Sequence, residues 1–260
     1  MCSQEEIPVH RHDQNLLYLN WTHRLTRSFS QNWQVGLNVP LQLRKTGIAY
    51  TLLDGTAYDP PYGDIHHRNE ILLGMGDPQI SLGRIFWWEG WGFLPQLQFS
   101  IPLGKTEENP YLRTQESQTH QHIQMGTGSV VPSLNFTAFY DNITWGFLSS
   151  IGQTIPFYEN AYDYKPGAST DWNLGHWKKL TDHLILIGQI RGMHSAPERW
   201  MDLPYAGSDS VALNIGTFVR LSPKWELGLQ LEKNIWIQNR MHAEEDPLNP
   251  ILTWNVFITR

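Results

Sequence analysis

The chain has 260 residues, of which 40% are hydrophobic, 17% charged and 12% aromatic, with 12 Trp, one Cys and a formal net charge of -6. A single cysteine excludes a disulfide framework or a cysteine-rich metal site, the negative charge gives no reason to expect nucleic acid as partner, and no run approaches the ~18 to 20 apolar residues of a transmembrane helix. Charge is well below the roughly 25% of an average globular protein, yet mean hydropathy is only -0.40, so neutral polar residues make up the difference.

Residues 1–13 show no basic segment followed by an apolar one, hence no visible export signal; they read as an N-terminal extension to a single domain over 14–260. From there, apolar residues recur with period 2 and almost nowhere with period 3.6, which predicts an all-β protein. A first strand falls at 15–25. The second is unusually long, with Trp33, Val35, Leu37, Val39, Leu41 and Leu43 alternating with Gln34, Gly36, Asn38, Pro40, Gln42 and Arg44. Strands follow at 78–87 and 93–103, the latter with Phe93, Leu97, Phe99, Ile101 and Leu103 against Gln96, Gln98 and Ser100. Further alternations lie at 128–140, 143–152, 168–178, 183–192, 211–221, 226–237 and 251–260, giving eleven strands.

The connections alternate in length. Short ones near 26–32, 88–91, 141–142, 179–182 and 222–224 separate long ones at 45–77, 105–126, 153–167, 193–209 and 238–249. Antiparallel neighbours need only a tight turn, so the pattern predicts an up-and-down meander with short turns at one end and long loops at the other. The polar strand faces are mostly Gln, Asn, Ser, Thr and Gly with isolated charges at Arg44, Arg191, Arg220, Glu226 and Glu232. That suits a water-filled lumen better than a free surface. The five charges either select solutes or form interior ion pairs that stabilise the wall. Trp33, Trp87, Trp88, Trp91, Trp145, Trp177 and Trp225 all lie within a few residues of an expected short turn, where the aromatic belt of a membrane barrel would sit. Residues 1–13 and the long loops hold 19 of the 25 acidic residues but 8 of the 19 basic ones, an acidic outer end against a basic inner end. The expected fold is an antiparallel up-and-down transmembrane β-barrel of about 12 strands with eleven visible.

Four stretches, GMGDPQISLGRIF, FLPQLQFSIPLGKTEENP, HQHIQMGTGSVVPSLNFTAFY and YKPGASTDWNLGHW, resemble the strand-end signatures of a family of bacterial outer-membrane proteins. These proteins are grouped as transporter-like and linked by name to the meta-pathway of phenol degradation. The likeness spans about residues 69–260 and carries no catalytic content. It implies a Gram-negative, porin-like barrel in the outer membrane that passes small molecules and is inserted by the outer-membrane assembly machinery. Two features depart from such barrels. Eleven is odd where single-chain bacterial barrels have even counts, which predicts a strand and a signal peptide upstream of Met1. The last strand, ILTWNVFITR, ends on Arg260 instead of an aromatic residue.

Eight of the eleven histidines fall at the long-loop end. His10 with His12, and His120 with His122, are spaced to share one side of an extended chain; His66 and His67 stand near Asp64 and Glu70. Imidazole with carboxylate suits a divalent metal, the one cofactor the sequence suggests; the plainer reading is that these side chains are loop residues bonding to backbone or water, or aromatic-like fillers of a plugged mouth. No enzyme is expected. GMGD and GTGS open no helix and so are strand starts, not phosphate loops, and no Ser at the outer rim has a His partner. The leading reading is an outer-membrane channel or transporter for a small solute, an aromatic compound or a metal complex, with the lipid bilayer as partner. The alternatives are a non-conducting barrel that binds metal at a His-rich mouth and a soluble antiparallel β-barrel binding protein.

Overall fold

The computed structural model describes residues 8–29, 32–60, 69–108, 124–205, 207–222, 225–239 and 252–259; for 252–259 and for residues 12, 14, 16, 225, 226 and 239 the description is of the backbone. The elements in chain order are β1 (His10–Ser28), β2 (Trp33–Leu52), β3 (Glu70–Met75), β4 (Gln79–Arg84), β5 (Phe86–Trp88), β6 (Trp91–Ser100), β7 (Val131–Asp141) and β8 (Trp145–Thr154). They continue with β9 (Tyr164–Lys165), β10 (Ser169–Thr181), β11 (Leu184–Ser195), β12 (Arg199–Trp200), β13 (Leu203–Pro204), β14 (Ser208–Ser222), β15 (Trp225–Asn239) and β16 (Leu252–Thr259).

Eleven spans form one antiparallel meander in which each pairs with its neighbours in sequence. The third span is β3, β4 and β5 together: β3 pairs with Leu41–Thr46 of β2, β4 with Trp33–Asn38, and β5 with the start of β6. Among the described residues β1 and β16 are the two ends of this hydrogen-bonded path. The β5–β6 turn is a two-residue hairpin in which Glu89 and Gly90 both have positive φ, 48° and 84°, the twist that suits antiparallel strands.

The spans outrun their apolar alternation at one end. β1 starts at His10, inside the expected extension, and β2 runs past Arg44 to Leu52, paired residue for residue. Backbone pairing needs no amphipathic pattern, and a strand standing beyond a ~30 Å hydrocarbon layer has no apolar face to present. The long loops carry strands of their own: β9, β12 and β13 form a second, three-stranded sheet at that end.

Burial is the reverse of that in a water-soluble sheet. On the apolar face Leu73 is 77% and Ile215 71% exposed, whereas on the polar face Asn214 is 3% and Ser81 5% exposed. Cross-strand register keeps the faces apart: Phe99, Leu97 and Phe93 oppose Pro132, Leu134 and Ala138, while Ser100, Gln98 and Gln96 oppose Val131, Ser133 and Asn135. A sheet whose large apolar side chains face outward and whose amides are crowded inside is stable only where the outer solvent is lipid.

Candidate functional site

The polar face has three zones, each traceable to local sequence. At the long-loop end the segment after β6 folds back onto this face. A Cβ on Gly74 would strike Met125 Sδ, and one on Gly76 would meet Gln42 Nε2 and the Met125 carbonyl, so Met125 lies against the inner side of β2 and β3. Asp77, in the break between β3 and β4, ties the segment down. Its Oδ1 accepts from the Gly104 N–H at 2.9 Å and its Oδ2 from the Thr127 N–H at 2.6 Å and the Thr127 hydroxyl at 2.7 Å. Gly76, Gly104 and Gly126 touch backbone to backbone, and a Cβ on Gly104 would fall 2.8 Å from both Gly126 Cα and Gly76 C. Only glycine permits that approach. The motifs GMGD, PLGK and GTGS are therefore three parts of one joint.

The next long connection completes the layer. Asn160 Nδ2 donates to the Thr127 carbonyl at 2.9 Å, and its Oδ1 accepts from the Tyr162 and Tyr164 N–H groups at 2.8 and 3.2 Å. Tyr164 packs on Trp200 with ring centres 4.7 Å apart and donates its hydroxyl proton to Glu198 Oε2 at 2.8 Å. Burial, then the neighbouring Glu198 charge and hydrogen bond, push the Tyr164 phenol well above the ordinary tyrosine range.

The middle of the polar face is hydrophilic. Arg191 on β11 reaches across β14 to Glu232 on β15, Nη1 to Oε2 at 2.8 Å. The intervening residue opposite Arg191 is Ala212, whose small side chain leaves the path open, and the bridge lies over Ala212 and Asn214. Asn214 Nδ2 donates weakly to Gln230 Oε1 and Glu232 Oε2 at 3.4 and 3.5 Å, while the Oδ1 atoms of Asn214 and Asn173 are buried without a partner among the described residues. Asn135 Oδ1 and Asp171 Oδ1 both approach the notch left by Gly152. On the other side Arg44 donates to Gln42 Oε1 at 2.9 and 3.2 Å and covers the Tyr18 ring at 4.7 Å. Arg220 faces Glu226 in the β14–β15 register, with the Glu226 side chain outside the description. Of the five expected lumen charges, Arg191 and Glu232 are thus joined, and Arg44 stands apart with Gln42 and Tyr18.

Near the short turns the same face becomes aromatic. Trp87 pairs in register with Gly92 and meets Phe139 edge-on at 5.4 Å. The Phe139 ring lies over Gly92, the Trp177 indole over Gly146, and the Phe218 ring over Gly228, each large ring filling the space that a glycine on the neighbouring strand leaves. This corrects the expected belt at two positions: Trp87 and Trp177 are at the short-turn rim but point to the polar face. Trp33, Trp88, Trp91 and Trp145 occupy the apolar face of that rim. Trp91 lies 5.4 Å from Tyr140, Tyr140 5.2 Å from Trp145, and the Arg84 guanidinium 5.4 Å from the Trp33 ring centre. Trp225 opens β15 opposite Ser222, its side chain undescribed.

For the expected metal ligands, His10 lies at the start of β1 with Nδ1 2.7 Å from the Pro8 carbonyl and its ring 5.0 Å from that of Tyr58. His12 is opposite Tyr50 in backbone register and Glu70 opposite Thr46. Asp64, His66, His67, His120 and His122 lie outside the described residues. Among the described residues no three His, Cys, Asp or Glu side chains converge.

Comparison with solved structures gives a fold match to the COG4313 outer membrane channel from Pseudomonas putida F1, with a TM-score of 0.58 over 95% of this chain and 82% of that one at 8% identity. This chain has an outer-membrane β-barrel fold. OmpTdeltaL8, a loop L8 deletion mutant of the Vibrio cholerae outer membrane protein OmpT, superposes with a TM-score of 0.37 at 6% identity, covering 88% of this chain and 94% of that one, too low to carry an argument. No family model matches the sequence. No curated protein matches it either.

Proposed function

We propose that the protein is an outer-membrane channel that passes a small solute, in the size and polarity class of an aromatic compound bearing polar groups. The observation that carries this reading is the zoning of the polar face: a loop held against the wall at the mouth, a hydrophilic middle, and an aromatic exit built on glycine-backed rings. Hydrogen-bonding groups in the middle replace water around a polar substituent, and the Trp87, Phe139, Trp177 and Phe218 surface offers rings an apolar contact. The fold shared with an outer-membrane channel supports the same reading, as does the outward apolar face, whose partner is the lipid bilayer. Insertion then depends on the cell's barrel-assembly machinery. A divalent metal at the loop end stays part of the proposal through His10, His12, Glu70 and the histidines outside the described residues.

The test is conductance of the purified, refolded protein in a planar bilayer, with benzoate as an aromatic probe. Discrete steps that benzoate interrupts are expected for the wild type. Trp87→Ala and Trp177→Ala should shorten the interruptions and leave the steps. A protein that inserts and stays silent at all voltages would overturn the channel reading.

A further inference from the structure

The apolar face carries one feature that a plain lipid-facing wall does not require. On β11, Gly188 stands between His176 on β10 and Ile215 on β14 in direct register. A Cβ at Gly188 would meet no atom within 4 Å, so the glycine is not demanded by packing within the wall. Around it lies a shallow, open groove of about 420 Å³, bordered by Leu174, Ile190, Leu213 and Ile215, with His176 and Phe147 at its end toward the aromatic rim. Its walls are aliphatic, and its shape follows one missing side chain in a row of large ones.

The rim end of the groove is cationic. His176 and Lys178 are two apart on one strand and share the outward face, and Lys178 is opposite Trp145. The His176 ring stacks along Trp145 at 6.5 Å and edge-on against Phe147 at 5.0 Å, which holds the imidazole at the belt. Asp182, in the turn that follows β10, is taken up by Lys179 at 2.8 Å, and that contact holds its carboxyl below the usual range. Neither Lys178 nor His176 has a hydrogen-bonding or ionic partner among the described residues. A polar ring and an ammonium at the edge of hydrocarbon are costly without an acceptor. Successive outward residues lie roughly 7 Å apart along a strand, so a phosphate at the Lys178 level sits directly above a chain entering the groove at the Gly188 level.

We infer that this groove is a binding site for a single anionic phospholipid of the leaflet at the short-turn end, with one acyl chain laid over Gly188 and the phosphate held by Lys178 and His176. The inference rests on the barrel lying in a membrane, and it adds a defined lipid to an otherwise unspecific annulus. One bound chain over the thin Gly175–Gly188–Gly216 stretch of wall fills a dent that mobile lipid tails fill poorly.

The test uses the full chain refolded into vesicles of phosphatidylcholine containing phosphatidylglycerol, then extracted in mild detergent for native mass spectrometry. The wild type should retain one phosphatidylglycerol in preference to phosphatidylcholine. Lys178→Gln should weaken retention about fivefold, the worth of one cation near a lipid phosphate. Gly188→Leu, which has room for its side chain and so folds, should abolish the preference. Equal retention in wild type and both variants, with all three inserted and heat-modifiable on gels, would overturn the lipid site and leave the channel reading intact. Failure of the wild type to float with vesicles would overturn both.

Discussion

Replacing Asp77 by alanine removes a side chain that fastens the inward-folded segment to the barrel wall through three hydrogen bonds. The carboxylate receives three hydrogen bonds at 2.9, 2.6 and 2.7 Å from residues 27 and 50 positions away in sequence. Bonds to an ionised acceptor are worth about 1.5 to 3 kcal/mol each. Asp77 is half-buried, so water replaces part of the loss, and neighbouring contacts do not add; a net cost of about 3 kcal/mol for the joint follows. At 1.4 kcal/mol per tenfold, the released population of the segment rises roughly a hundredfold. Lys105, whose carbonyl accepts the Met125 and Gly126 N–H groups, then becomes a trypsin site. Cleavage after Lys105 in detergent should be about a hundredfold faster in Asp77→Ala than in wild type. Asp77→Asn, which keeps one acceptor oxygen, should fall between them. Thermal unfolding of the strands should barely change, because the joint lies outside the main ladder. Equal cleavage rates in wild type and Asp77→Ala would refute the role given to this carboxylate.

Three further outcomes follow. Arg191 is 53% exposed, so breaking its bridge should cost less than about 1 kcal/mol in stability; the effect belongs to ion selectivity, with reversal potentials moving toward cations in Arg191→Gln and toward anions in Glu232→Gln. Tyr164 has a raised pKa in the folded protein, so the stability it lends is complete below the ordinary tyrosine pKa of about 10 and is lost as pH rises through the higher folded value. Ultraviolet titration should show a phenol that ionises later than the others and is missing in Tyr164→Phe; a wild type whose tyrosines all titrate together near pH 10 would contradict this. Gly146→Val should displace the Trp177 indole and lower the temperature at which the barrel band shifts on gels, while Gly188→Val, facing open space, should leave it nearly unchanged.

The spans were legible because lipid and lumen impose period 2 on every strand that separates them. Where both faces meet water that constraint lapses, and the outer parts of β1 and β2 and the short β9, β12 and β13 give no alternating signal. Nearness to turns does not by itself separate the two faces of the aromatic rim. Trp87 and Trp88 are adjacent, and strand geometry alone sends adjacent side chains to opposite faces; Trp177 shares its face with Asp171, Asn173 and Gly175, which marks it as inward. The Asp77 joint is different in kind. Its parts come from three separate stretches in two connections, and GMGD, PLGK and GTGS show in sequence only that glycine is wanted, not that the three meet.

The central claim is that the faces of this sheet are inverted, apolar toward lipid and polar toward water, and β7 offers the most direct measurement. In a Cys2→Ser background, single cysteines at Ser133, Asn135 and Thr137 and at Leu134, Phe136 and Ala138 would carry spin labels in the protein reconstituted in lipid. Labels at the first three should be relaxed by a water-soluble nickel chelate, and labels at the second three by oxygen dissolved in the bilayer. Protection of the second set from both reagents, as in a dry protein core, would contradict the account.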